Sequence, residues 1–144
     1  MVKTAYDLGT AYDIGRKELV FCDVKDPVRK VAREFRERGI GSLIVMDGKR
    51  HVGIVTDEIL FRAIESGVDL LSAKVGDLKL EPIHTVPKDA SLTEVAQLFR
   101  QTGTSRLGVV DEEGRIVALV KKRNLELLDR FSFVDRALAR FPPG

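Results

Sequence analysis

Thr56, Asp57 and Glu58 end an apolar run, GIVTDEIL (53–60), with a hydroxyl and two carboxylates in succession. Three kinds of chemistry need such a corner. Paired carboxylates can act as general acid and base, a hydroxyl followed by acids can cap a helix and complement its dipole, and a polar strand end can hold a ligand. Nothing nucleophilic or histidine-like accompanies Asp57 and Glu58, so they read as first-turn helix charges, and no catalytic residue is assigned. Cys22 is the single cysteine and, inside LVFCDV, reads as a small buried hydrophobe rather than a nucleophile or redox site. His51 and His84 have no His, Cys or paired carboxylate at metal-ligand spacing, so no metal is expected. A basic cluster, Lys121, Lys122 and Arg123, follows a second apolar run. Such clusters are usually solvated helix starts, yet cations at a helix N-terminus oppose its dipole, and a bound anion would relieve them.

The chain that positions these residues has 144 residues, 44% of them hydrophobic, enough for one ordinary domain or two very small ones. Lys and Arg total 24 against 22 Asp and Glu, and the net charge of +2 gives no global argument for nucleic acid or acidic membranes. Charged residues reach 32%, with no Trp, a balance that leans toward a thermophilic source. The sequence has neither an 18-residue apolar segment nor a basic start followed by an apolar run, so a cytoplasmic location is expected.

An internal repeat organises the sequence. VAREFRERGIGSLIVMD (31–47) lies over VAQLFRQTGTSRLGVVD (95–111) with identical Val, Ala, Phe, Arg, Gly, Leu, Val and Asp in place. One extra residue in the second hairpin then brings VGIVTDEIL (52–60) over VALVKKRNL (117–125). The upstream segments match as well, TAYDIGRKELVF over AKVGDLKLEPIHT, which sets Asp13 over Asp77. Each half predicts a short strand, a helix, two hairpin strands and a second helix. In the first, Asp26 is expected to cap a helix with Pro27 at its first position, Val28, Val31, Ala32 and Phe35 form the apolar stripe, and Gly39 ends it. In the second, Ser91 and Glu94 have capping-box spacing, Leu92, Val95, Ala96 and Phe99 form the stripe, and Gly103 follows. The expected fold is α+β, two β-α-β-β-α units packed sheet to sheet with pseudo-twofold symmetry. Their expected bounds are 1–70 for the first repeat with its N-terminal segment, 71–130 for the second, and 131–144 for a helical tail.

The tandem β-α-β-β-α unit, the strand pattern G-I-x-S-L-x-V-x-D and the G-I-V-T corner resemble the CBS domain pair, or Bateman module, over roughly residues 7 to 130. The resemblance implies a regulatory, energy-sensing module that binds an adenosyl nucleotide between its repeats and has no catalysis of its own. It also implies a corner pattern of Gly, two apolar residues, Thr or Ser, two variable residues, then Asp or Asn. The hydroxyl approaches phosphate, the last residue takes the ribose hydroxyls, and adenine lies between apolar side chains of the two sheets.

Neither corner keeps the whole pattern. The first retains Gly53 and Thr56 but has Ile59 at the ribose position; the second has Ala118 and Lys121 for Gly and Thr but retains Asn124. Arg106 matches the family's basic position facing phosphate, where the first half has Ser42. The resemblance therefore favours a ligand at the second corner, with ribose on Asn124 and phosphate near Lys121 and Arg106, and with Asp26, Ile40 and Gly41 contributed by the first half. Ile40 would be an adenine wall, although ordinary core is the commoner role for such a residue, and Gly41 would let the backbone approach closely. The reciprocal site would use Thr56, Thr104 and Ser105 and is expected to be weaker or empty. A small cleft with one basic site for phosphate favours AMP over ATP, with ADP and S-adenosylmethionine as further adenosyl ligands.

The other function classes are a structural dimerisation or partner-docking module with non-functional clefts and, more distantly, a nucleic-acid binder using Lys121, Lys122, Arg123 and Arg130. The family habit and two apolar helical faces predict a homodimer. TAYDLGTAYDIG, a near-verbatim six-residue repeat, is assigned no chemistry, and the tail stripe Phe131, Val134, Leu138 and Phe141 is expected to cover the chain's own core or a dimer partner rather than to bind another protein.

Overall fold

A computed structural model describes residues 9–128. Residues 4–8 of the first TAYDLG copy, Arg130 and the expected tail helix lie outside the described residues. The elements are α1 (Ala11–Ile14), β1 (Phe21–Asp23), α2 (Val28–Arg38), β2 (Ser42–Asp47), β3 (Arg50–Thr56) and α3 (Asp57–Glu65), then a 3-10 turn at Val75–Asp77. They continue as β4 (Thr85–Pro87), α4 (Leu92–Thr102), β5 (Arg106–Val110), β6 (Ile116–Lys121) and α5, helical over residues 122–128. Two three-stranded sheets result, ordered β1-β2-β3 and β4-β5-β6. In each the first pair is parallel and the second antiparallel. A parallel neighbour needs a crossover, which α2 and α4 supply, whereas the hairpins close through short turns. The β-α-β-β-α order expected from the repeat is thus present twice.

The local signals explain most of the boundaries. Gly39 and Gly103 end α2 and α4 at φ of 64° and 70°, the left-handed conformation that lacks a steric cost only for glycine. Ser91 caps α4 by accepting from the Glu94 N–H. Asp26 does not cap α2 as expected. Its carboxylate accepts instead from the Asp23 N–H at 2.8 Å and from Lys30 Nζ at 3.1 Å, and Pro27 is the capping residue, with no side-chain bond. A short acid before a helix can close a turn behind it as readily as cap ahead of it, and here the turn prevails. Of the expected α2 stripe, Val28 and Val31 are buried and Phe35 half-buried, while Ala32 is exposed. Val28 and Val31 join Leu43, Val45, Val55 and Leu60 in one core cluster; Leu92, Val95 and Phe99 join Leu107, Val109 and Val120 in another.

The chain divides into two compact units that do not follow the repeat boundary. One comprises Leu19–Ile83; the other joins the residues up to Glu18 to those from His84 onward. The sequence division at residue 70 follows internal similarity, whereas packing exchanges the lead segments. Within the second unit α1 is tied to the segment between β4 and α4, Ala11 N–H to Ala90 O at 2.9 Å and Tyr12 N–H to Lys88 O at 3.1 Å. Within the first, the Val75 N–H donates to Asp26 O and the Gly76 N–H to Val24 O, both 2.9 Å. The two lead segments are built alike. Asp13 and Asp77 each accept from the N–H three residues before, Thr10 and Lys74, at 3.0 and 2.9 Å, as their alignment in the repeat implies.

Each lead segment then runs antiparallel to the last hairpin strand of its unit, through bridges Arg16–Leu119 and Glu81–Ile54. The approach is so close that one partner must be small. A Cβ on Gly53 would stand 2.9 Å from Leu80 Cβ, and a Cβ on Gly15 would stand 2.8 Å from Ala118 Cβ. The first unit puts the glycine on the strand, the second on the lead segment. Ala118, where the resemblance implies a glycine, is thereby offset by Gly15.

Candidate functional site

Both hairpin corners have the same frame. In the first, Ser42 pairs with Thr56 across β2 and β3, and the Asp57 N–H donates to Gly41 O at 3.0 Å. In the second, Arg106 pairs with Lys121 across β5 and β6, and the Lys122 N–H donates to Ser105 O at 3.0 Å. The residues aligned by the repeat therefore occupy equivalent places, and the chemical difference between the corners lies in the side chains.

The first corner spends its polar groups on its own helix. Thr56 is buried, and its Oγ1 accepts from the Ile59 N–H at 3.2 Å, capping α3. Asp57 Oδ1 accepts from the Glu58 N–H at 2.8 Å, and Glu58 bonds Arg62 one turn on at 2.7 Å. All three polar residues of GIVTDEIL thus serve the helix start. Ile59, half-buried, stands where the resemblance implies a ribose acceptor.

The second corner is cationic. Arg106 is only 6% exposed, and its Nη1 donates to Ser105 Oγ at 3.0 Å. Thr104, also buried, donates from Oγ1 to Arg106 O at 2.9 Å, so its hydroxyl holds the strand entry. Lys121 is half-buried at the end of β6, and Asn124 is exposed three residues on, in α5. Four of the eight expected ligand residues fall in the first unit, Asp26, Ile40, Gly41 and Thr56; Ser105, Arg106, Lys121 and Asn124 fall in the second, around one corner. Asp26 is engaged locally, and the Asp23 N–H, then Lys30, hold its carboxyl below the usual range. The half-buried Ile40 and Gly41 immediately precede β2.

Sequence reasoning missed Arg16. Its backbone bridges Leu119, Arg16 N–H to Leu119 O at 2.8 Å and Leu119 N–H to Arg16 O at 3.1 Å. Burial and then the nearby Arg106 lower its guanidinium's proton affinity, and Glu18 opposes them. No local signal marked it, because the bridge to Leu119 joins segments far apart in sequence.

Other titratable groups have local roles. A cavity of about 560 Å³ near Tyr12 is rimmed by charges that pair with one another, Lys88 with Glu112 at 3.2 Å and Arg115 with Asp111 at 3.0 Å. Burial, then Asp26, pushes the Cys22 thiol up to about 12 from an ordinary 9.0. Native Cys22 should therefore resist iodoacetamide at pH 8 and react on unfolding. Because the folded value is the higher one, this contribution to stability is complete below pH 9.0 and is lost as pH rises from there toward about 12. Rapid labelling of the native protein at pH 8 would contradict the assignment. Among the described residues no cluster of three or more His, Cys, Asp or Glu could hold a metal, and no helix is long and apolar enough to cross a membrane.

Residues 11–66 and 75–126 each match the CBS domain. The chain belongs to the CBS domain family and has its paired fold. Among relatives, an uncharacterised protein of Methanopyrus kandleri, MK0525, is 24% identical over 115 residues, 78% of this chain and 59% of that protein. The chain therefore spans about three-fifths of that relative's length. Hypoxic response protein 1 of Mycobacterium tuberculosis is 28% identical over 118 residues, 81% of this chain and 82% of that one. Among solved structures, Hypoxic Response Protein I with two coordinated zinc ions has a TM-score of 0.63 at 25% identity, covering 83% of this chain and 98% of that one. The CBS domain pair of protein MJ0100, in complex with 5'-methylthioadenosine and S-adenosyl-L-methionine, has a TM-score of 0.69 at 20% identity, covering 83% and 98%.

Proposed function

We propose that the chain is a regulatory, non-catalytic module that binds an adenine nucleotide, AMP foremost, at the second hairpin corner, with ribose on Asn124 and phosphate on Arg106 and Lys121. The observation that carries this reading is a buried arginine directly opposite a half-buried lysine at a strand end, with the exposed amide of Asn124, a group able to hydrogen-bond a diol, three residues further on. Family membership and the adenosyl ligands of the MJ0100 pair support the adenosyl moiety. The shares given to Asp26, Ile40 and Gly41 rest on the family pattern. The corner of Thr56, whose hydroxyl is spent on its cap, has the weaker claim.

Asn124→Ala removes the ribose hydrogen bonds and should cost about 1–3 kcal/mol, roughly five- to 150-fold in AMP affinity. Thermal melting of wild type and variant with AMP, ADP, ATP and S-adenosylmethionine checks it. A silent Asn124→Ala together with loss of binding in Thr56→Ala would move the ligand to the first corner.

A second observation supports self-association as part of the same reading. Phe61 is 63% exposed, Ile64 58% and Leu71 75%, grouped on α3 and the segment after it. An apolar patch on a small protein favours an interface, and a second copy of the chain is the occupant the family habit supplies. Sedimentation at micromolar concentration should give twice the 16.0 kDa chain mass, and Ile64→Glu should give the single mass. A wild-type species of 16.0 kDa would contradict the dimer and leave partner docking as the use of this face.

A further inference from the structure

We propose that Arg16 is a third cation of the second corner, and that it makes the site select phosphate-bearing adenine nucleotides over uncharged or sulfonium-bearing adenosyl compounds. The inference deepens the nucleotide reading above and rests on it.

Strand register places the side chain. Residues directly opposite in antiparallel pairing share a face, as do residues two apart along a strand. Arg16 lies opposite Leu119, Leu119 is two residues from Lys121, and Lys121 lies opposite Arg106. Arg16, Lys121 and Arg106 therefore stand on one face of the sheet. Leu107, Val109, Ala118 and Val120 point to the other face and form its hydrophobic core.

The first unit provides an internal control. Its equivalent bridge is Glu81 with Ile54, and its equivalent pair is Ser42 with Thr56. The same three positions thus read Glu81, Ser42 and Thr56 in one unit, a formal charge of −1, and Arg16, Arg106 and Lys121 in the other, a formal charge of +3. Equivalent bridge and pair positions with opposite charge point to different cargo, not to a requirement of the fold. Fold alone would be served by the uncharged or acidic set.

Crowding like charges in a partly buried place is unfavourable: burial, and then Arg106, lower the proton affinity of Arg16, and Glu18 offsets them only in part. An anion offsets that cost. The phosphate of AMP brings close to two negative charges at neutral pH and oxygens that accept from guanidinium forks. Methylthioadenosine brings none, and the sulfonium of S-adenosylmethionine adds a cation to a cationic face. Glu81 at the equivalent position would repel phosphate from the first corner.

The test is isothermal titration of wild type, Arg16→Gln and Arg16→Lys with AMP, adenosine and S-adenosylmethionine, with melting curves confirming that each variant folds. Wild type should bind AMP at least about tenfold more tightly than adenosine, with S-adenosylmethionine weakest. Arg16→Gln should weaken AMP by roughly ten- to 100-fold and leave adenosine within about twofold, while Arg16→Lys retains most of the AMP affinity. A wild type that binds adenosine or S-adenosylmethionine as tightly as AMP overturns the selectivity while leaving an adenosyl site in place. An unchanged AMP to adenosine ratio in Arg16→Gln overturns the role of Arg16 and leaves the nucleotide reading standing. Absence of binding by every adenosyl compound overturns both. As a check independent of adenosine, pyrophosphate should raise the melting temperature of wild type above that in chloride at equal ionic strength, and Arg16→Gln should remove the difference.

Discussion

Arg106→Ala is expected to weaken AMP binding by about 10- to 150-fold while adenosine affinity changes less than about twofold. The side chain is 6% exposed, so its guanidinium works where water competes poorly, and a hydrogen bond to a charged group there is worth about 1.5–3 kcal/mol. Adenosine lacks the phosphate and should not register the loss. Arg106→Lys should fall between the two, because it keeps the charge but not the fork that meets two phosphate oxygens. Parallel titrations with the two ligands decide the matter. An equal loss for AMP and adenosine would make Arg106 a support for the Ser105 turn rather than a phosphate ligand, since its Nη1 already bonds Ser105 Oγ at 3.0 Å.

Phe99→Ala should destabilise the protein by about 3–5 kcal/mol, the range for emptying an aromatic site in a packed core. Phe99 is 2% exposed and is among the largest fully buried side chains; in α4 it seats the helix against Leu107, Val109 and Val120. At roughly 4–8 °C per kcal/mol for a unit of this size, the melting temperature should fall by more than about 10 °C. The equivalent Phe35 is only half-buried, so Phe35→Ala should cost visibly less. Comparable losses at the two positions would contradict the difference in burial. Urea unfolding of both variants measures it.

Much of this architecture was legible in the sequence because the second half states it again. A glycine after each apolar stripe marked the helix ends at Gly39 and Gly103, and both adopt the left-handed conformation that such a stop requires. The corners were legible for the same reason: Thr56 and Lys121 could be aligned before any pairing was known, and both close a hairpin strand. Asp26 misled because an acid two residues before a helix has two backbone partners within reach, and sequence spacing does not rank them. The exchange of lead segments was not legible at all. It depends on whether Arg16 meets Leu119 or the strand nearer in sequence, a long-range choice that leaves no local period. Its trace is the exchanged small residue, Gly53 with Leu80 but Ala118 with Gly15, which makes sense only once the contacts are known. Arg16 was overlooked with it, since a charge in a connecting segment reads as solvated until a strand is found beside it.

Titration of the wild-type protein with AMP and with adenosine shows whether the second corner is a phosphate-binding nucleotide site. Saturable heat with AMP is expected, one site per chain, with an affinity that drops when the phosphate is removed from a ligand held by a buried arginine beside a lysine. No heat and no melting shift with any adenosyl compound at millimolar concentration would contradict it and leave a docking module whose corners serve only to start their helices.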